Sequence, residues 1–138
     1  MAIAEDPAFE QFISDHRWAV LTTLRRNGGP VSSVVAYARD GDTLVVSTPG
    51  TTFKRRTLER DPRVNLCVIS NQEPIQFAAI EGTASIEHDD LVRKTRLVFD
   101  NIAAAGYSEP ADFENWLEKQ QRVILRIHPG HVAGRVPS

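Results

Sequence analysis

A mainly β domain with flanking helices, its strands curled into a small closed or partly closed barrel, is what this sequence predicts. Three observations carry the expectation. Six segments read as strands, and tight turns join the first three in series. Several strands are apolar on both faces over part of their length, where an open sheet with one wet face would alternate more cleanly. Finally, 138 residues, 41% hydrophobic and 25% charged, make one ordinary globular domain over 1–138. That length excludes a TIM barrel or a dinucleotide fold with a separate substrate domain.

Asp6-Pro7 opens the first helix, Asp suiting the N-cap and Pro the first helical position, with Phe9, Phe12 and Ile13 as its apolar stripe. The period then changes to two. Trp18 to Leu24 forms a strand ending at Arg25-Arg26-Asn27-Gly28-Gly29-Pro30, and the Asn-Gly pair predicts a hairpin turn with positive φ at both residues. Val31 to Tyr37 is the partner, and Asp40-Gly41 turns the chain into Leu44 to Ser47, so these three strands are expected to form a meander. The loop Thr48 to Thr52 leads into a short helix, Phe53 to Arg60, capped by Thr51 or Thr52 and ended by Asp61-Pro62. Strands follow over Val64–Ile69 and Gln76–Ile86, the second bent at Gly82. Asp89 or Asp90 caps a helix carrying Leu91, Thr95, Val98, Phe99 and Ile102 on one face. Pro110 begins another with Phe113, Trp116 and Leu117 inward, and Val123 to Ile127 is the last strand.

The chain carries 16 Lys and Arg against 18 Asp and Glu, net −2, which opposes a general nucleic-acid binder. The single Cys67 excludes an internal disulfide, and its place in Leu66-Cys67-Val68-Ile69 predicts a buried, inert thiol. An acidic N-terminus without an apolar core does not read as a signal peptide, and no apolar run reaches a membrane span. A soluble, cytoplasmic protein is expected. His128-Pro129-Gly130-His131 reads as a turn rather than a metal site, His16 and His88 as surface residues, and Ser32-Ser33 lack an activating base.

One segment runs against the average charge. Between Lys54 and Arg63, five basic residues (Lys54, Arg55, Arg56, Arg60, Arg63) face two acidic ones (Glu59, Asp61), a local +3. Helix-start N–H groups, the hydroxyls of Thr51 and Thr52, and Lys54 make a phosphate site of the kind helix N-termini favour. A solvated basic helix face is the equal alternative. A nucleic-acid patch is weaker, since no aromatic residues interleave the charges.

Three motifs together resemble the pyridoxamine-phosphate-oxidase-like split β-barrel superfamily, and within it the flavin/deazaflavin oxidoreductases that use coenzyme F420. They are Leu21-Thr22-Thr23-Leu24 with its hairpin and Pro30-Val31-Ser32; Thr52-Phe53-Lys54-Arg55-Arg56-Thr57-Leu58 with Arg60-Asp61-Pro62-Arg63-Val64; and Ile80-Glu81-Gly82. The resemblance implies an FMN-binding-like split barrel, homodimeric, with two cofactor sites at the subunit interface. It implies that Lys54 binds the cofactor phosphate with Thr52 and Arg56, and that Thr57, where many relatives carry Asn, adds a hydrogen bond. The ring system would lie along Val31, Ser32, Ser33, Val34, Ser47 and Thr48, with Gln76 and Trp116 contributing to the pocket. Arg55, Arg56 and Arg60 would meet the acidic oligoglutamate tail that distinguishes F420 from FMN. The implied activity is hydride transfer from reduced deazaflavin to a small electron-poor organic substrate, which needs no evident protein acid because the cofactor carries the chemistry. An FMN-dependent oxidase of the same fold and a non-catalytic cofactor-binding or storage protein are the alternatives.

Overall fold

In a computed structural model, which describes residues 2–70, 72 and 75–137, one curled antiparallel sheet of seven strands forms the body, with four α-helices around it. The chain runs α1 (Pro7–Asp15), β1 (Trp18–Leu24), β2 (Pro30–Ala36), β3 (Ala38–Asp40), β4 (Thr43–Pro49), α2 (Phe53–Arg60), β5 (Arg63–Ile69), β6 (Phe77–Glu87), α3 (Leu91–Ile102), α4 (Phe113–Lys119) and β7 (Arg122–Arg135). The sheet order is β2-β1-β5-β6-β7-β4-β3. This is the expected mainly β split barrel. Among the described residues no helix is long and apolar enough to cross a membrane.

The sequence-predicted meander is corrected. β1 and β2 pair from Trp18↔Ala36 to Leu24↔Pro30, but β4 pairs with β7 and with the short β3, not with β2. The break falls at Tyr37, which is fully buried, its hydroxyl 2.6 Å from the Ile13 carbonyl and 2.9 Å from that of His16. Burying that side chain ends β2 and carries the chain across the barrel, where β7 offers β4 a longer apolar partner. The β1–β2 turn also differs. Only Gly28 has positive φ (87°), and the Asn27 side chain accepts the Gly29 N–H at 2.9 Å, so residues 25–29 form a five-residue loop closed by its own amide.

β7 is the second correction. It does not stop at Ile127; Pro129 and Gly130 lie inside it, opposite Gly82, at a register shift between Glu81 and Gly82. A bulge tolerates a proline that cannot donate to the ladder. A Cβ on Gly82 would strike the His128 carbonyl, so glycine is required there. His128 accordingly points from a strand, its Nε2 3.0 Å from Ser85 Oγ. α4 begins at Phe113 rather than Pro110.

Asp6 caps α1 through the Ala8 N–H at 2.8 Å. Asp90 takes the α3 cap position in a left-handed conformation (φ 53°), yet its carboxylate binds Arg93 at 2.6 Å instead of a helix N–H. Inside the barrel Phe12, Leu21, Leu44, Leu66, Ile80, Leu125 and Ile127 are buried, each large aliphatic contributing about 1.5–3 kcal/mol. A smaller cluster, Ala38, Val45, Val98 and Ile124, seals α3 onto the outside of β3, β4 and β7.

Beside α3 an ion network clamps the sheet. Glu87 accepts from Arg126 (2.8 Å) and from the buried Lys94 (2.8 Å), while Asp40 accepts from Arg93 and Arg126. Hydrogen bonding from Arg126, then from Lys94, holds the Glu87 carboxyl down at about 2, below the ordinary 4.5. Its stabilising contribution is therefore complete above pH 4.5 and is lost as pH falls toward 2. Glu87→Gln is expected to cost about 1–3 kcal/mol at neutral pH. It should also flatten the acid limb of stability in urea melts between pH 5 and pH 2; an unchanged limb would remove Glu87 from that role.

Candidate functional site

α2 is an odd helix. Its first turn holds Lys54, Arg55 and Arg56 and no acid, although a helix N-terminus is already electropositive. The Thr52 hydroxyl caps it from 3.5 Å and lies 3.3 Å from Thr48 Oγ1, itself buried at the end of β4. Thr51 is exposed beside them. The loop before the helix is tied down by the Gly50 N–H donating to the Gln121 carbonyl at 2.7 Å, and a Cβ on Gly50 would collide with that oxygen. This close approach sets the start of α2 against the start of β7.

The consequence is a second cation at the site. Arg122 opens β7 opposite Pro49, donates to the Ser47 carbonyl at 3.3 Å and to Gln120 Oε1 at 2.8 Å, and stacks 4.3 Å from the Trp116 ring centroid. Lys54 and Arg122 are both half-buried, and among the described residues neither has an ion-pair partner. Burial, and then the Arg122 charge, lower the Lys54 ammonium pKa; burial alone lowers that of Arg122. Two desolvated cations side by side without an anion are costly. The Arg55 Nε is also buried without an acceptor. This corner fits a phosphate.

The other sequence-predicted residues separate into groups. Ser47 shares the Arg122 corner through its carbonyl, while its hydroxyl accepts from Thr95 of α3 at 3.3 Å and is thereby covered. Thr57 is buried and donates to the Phe53 carbonyl at 2.8 Å, so its proton is held within its own helix. Arg55 pairs with Glu59 at 2.8 Å, leaving Arg56 as the exposed basic residue of the first turn without an ion-pair partner among the described residues. On β2, Val31 and Ser33 turn toward the barrel, and Ser32 and Val34 turn outward, with Ser32 Oγ 2.8 Å from Thr22 Oγ1. Gln76 precedes the far end of β6, whose Glu87 end adjoins β7 beside Ser47. That is about 30 Å along the strand. One chain does not bring Gln76 to Lys54.

Arg122 was missed in the sequence because its relation to Lys54 arises from β4–β7 pairing across more than sixty residues; the only local signal was Trp116 six positions earlier. Cys67 is half-buried rather than fully buried, and burial pushes its thiol up. Among the described residues no three His, Cys, Asp or Glu side chains converge as a metal site.

Residues 5–135 match the pyridoxamine 5'-phosphate oxidase family. The chain belongs to that family. Its members are oxidoreductases, and membership implies a flavin or deazaflavin cofactor for this pyridoxamine 5'-phosphate oxidase relative. An F420H(2)-dependent biliverdin reductase of Mycobacterium tuberculosis (strain CDC 1551 / Oshkosh) is 27% identical over 124 residues, 89% of this chain and 82% of that protein. Among solved structures, an F420 reductase superposes with a TM-score of 0.75 at 22% identity, covering 94% of this chain and 98% of the other. A heme binding protein from Mycobacterium smegmatis gives 0.68 at 18%, covering 96% of this chain and 59% of its own. These structures share the fold.

Proposed function

We propose that this chain is an F420-dependent reductase of small, electron-poor organic substrates, working in the cytoplasm as a homodimer. The observation that carries the reading is the Lys54–Arg122 corner: two half-buried, unpaired cations at the start of a helix whose first turn lacks any acid. Lys54, Arg122 and the cap hydroxyl of Thr52 would hold the cofactor phosphate, and Trp116 would keep the Arg122 guanidinium flat and in place. Val31, Ser33 and Thr48 would border the ring, and exposed Arg56 would face the acidic tail. When bound, the reduced deazaflavin supplies the hydride; the protein's part is to bind, orient and exclude water. The F420-linked relative supports F420 over FMN, since the phosphate corner alone would accept either.

The open face of the sheet supports the dimer. Register pairing lines up Val34, Val20, Cys67, Ala79 and Ala133 in one apolar row across five strands, and Val34 is 67% exposed. A second copy on this face would cover the row and could deliver its own Gln76 to a neighbour's site. Fluorescence titration of the purified protein with F420 and with FMN tests the cofactor. Saturable binding of F420 with weaker FMN binding is expected; binding of FMN alone would overturn the reading.

A further inference from the structure

Beyond the phosphate corner, α2 presents a second basic surface that the cofactor phosphate does not use. Phe53 and Arg60 stand seven residues apart on one side of the helix and face the β1–β2 loop. Together with Arg25, Arg26, Asn27 and Val31 they line a groove of about 620 Å³. Its lining contains three arginines and no acid, and among the described residues none of the three is ion-paired. Most other arginines here do find a carboxylate: Arg39, Arg55, Arg63, Arg93, Arg96 and Arg126 are all paired. The groove is also built rather than incidental. Arg60 donates to the Leu24 carbonyl at 3.4 Å, and the Arg25 N–H to the Gly29 carbonyl at 2.8 Å, which fixes the loop against the helix. Phe53 leaves 45% of its surface open at this wall, an apolar face beside forked donors.

An aromatic wall with three unpaired guanidinium groups matches a ligand with a flat apolar body and carboxylates, since the guanidinium fork pairs carboxylate oxygens two at a time. The volume suits a small molecule. Val31 lies both in this groove and on the strand assigned to the cofactor ring. We infer that the groove binds the carboxylates of the acceptor substrate, so that the protein prefers acidic, ring-bearing acceptors; this rests on the F420 reading for the word acceptor, though not for binding itself.

The probe is 1-pyrenebutyrate, with its uncharged amide as control, followed by fluorescence with the full chain free of cofactor. The acid should bind at least tenfold more tightly than the amide, and Arg25→Ala/Arg26→Ala should abolish that preference. The two residues lie exposed in the loop, so the variant should melt like the wild type, and its F420 affinity should change by less than about threefold. Equal binding of acid and amide, or an undiminished preference in the variant, overturns the inference. So does a variant whose F420 affinity drops more than tenfold, which would give the groove to the cofactor's tail. If the wild type binds no F420 yet keeps the Arg-dependent preference for the acid, the cofactor reading fails and the carboxylate site stands.

Discussion

Replacing Lys54 and Arg122 together by alanine is expected to weaken cofactor binding by about a hundredfold to ten-thousandfold. Each charge-assisted hydrogen bond to a phosphate contributes about 1.5–3 kcal/mol, and 1.4 kcal/mol is tenfold in affinity. Lys54→Ala alone should cost about tenfold to a hundredfold. The cofactor-free protein should respond in the opposite sense. Lys54 sits desolvated beside Arg122 and at a helix N-terminus, so removing it relieves repulsion, and the melting temperature of the apoprotein should hold or rise. Arg122→Ala should instead lower it, because the Trp116 stack and the Ser47 carbonyl lose their partner. The pH dependence follows from the same crowding. With its pKa pulled below the usual lysine range by burial and by Arg122, Lys54 loses its charge earlier as pH rises, and phosphate affinity should decline on the alkaline side before ordinary lysines titrate. Isothermal titration of Lys54→Ala, Arg122→Ala and the double variant across pH measures the affinities, and thermal melts of the cofactor-free proteins measure the stability changes. An unchanged dissociation constant in the double variant would remove the phosphate from this corner.

What could be read from the sequence depended on range. The α2 cap at Thr52, the Asp6 cap and the hairpin between β1 and β2 are local, written in a few adjacent residues, and the structure has them. Lys54 stood out for the same reason, as charge concentrated on one turn. The errors arose where long-range pairing overrode local patterning. Tyr37 looked like a strand residue and is a buried plug; Pro129-Gly130 looked like a turn and is a bulge within the longest strand, because Gly82 leaves room for it. Arg122 is the instructive miss. A lone arginine at a strand start is unremarkable in sequence, and only the Gly50–Gln121 contact sets it beside the start of α2. In the groove, Arg60 lies more than thirty residues from the adjacent Arg25 and Arg26, so their convergence was equally hidden.

In the proposed homodimer, Val34→Glu is expected to separate the two chains and, with that, to lower cofactor affinity. The row Val34, Val20, Cys67, Ala79 and Ala133 lies on the outer face of the sheet, and on one side Ala36, Trp18, Ile69 and Phe77 extend its apolar character. One neighbouring row, Ser32, Thr22, Asn65, Glu81 and His131, is polar throughout. An apolar strip that ends at a polar row is the profile of a contact surface rather than of a solvated sheet. Val34 is 67% exposed, on the sheet's edge strand, so a carboxylate there leaves β2 pairing with β1 undisturbed in the single chain while placing a charge where a second copy must dehydrate it. Burying an unpaired charge costs several kcal/mol, enough to dissociate a dimer of moderate affinity. Light scattering should report half the wild-type mass with an unchanged melting profile at low protein concentration. The cofactor consequence is the sharper half of the prediction, because Gln76 lies at the far end of β6 from Lys54 and can reach such a site only on a partner. A Val34→Glu monomer that binds F420 as tightly as the wild type would show that one chain completes the site alone, and that the apolar row has another use.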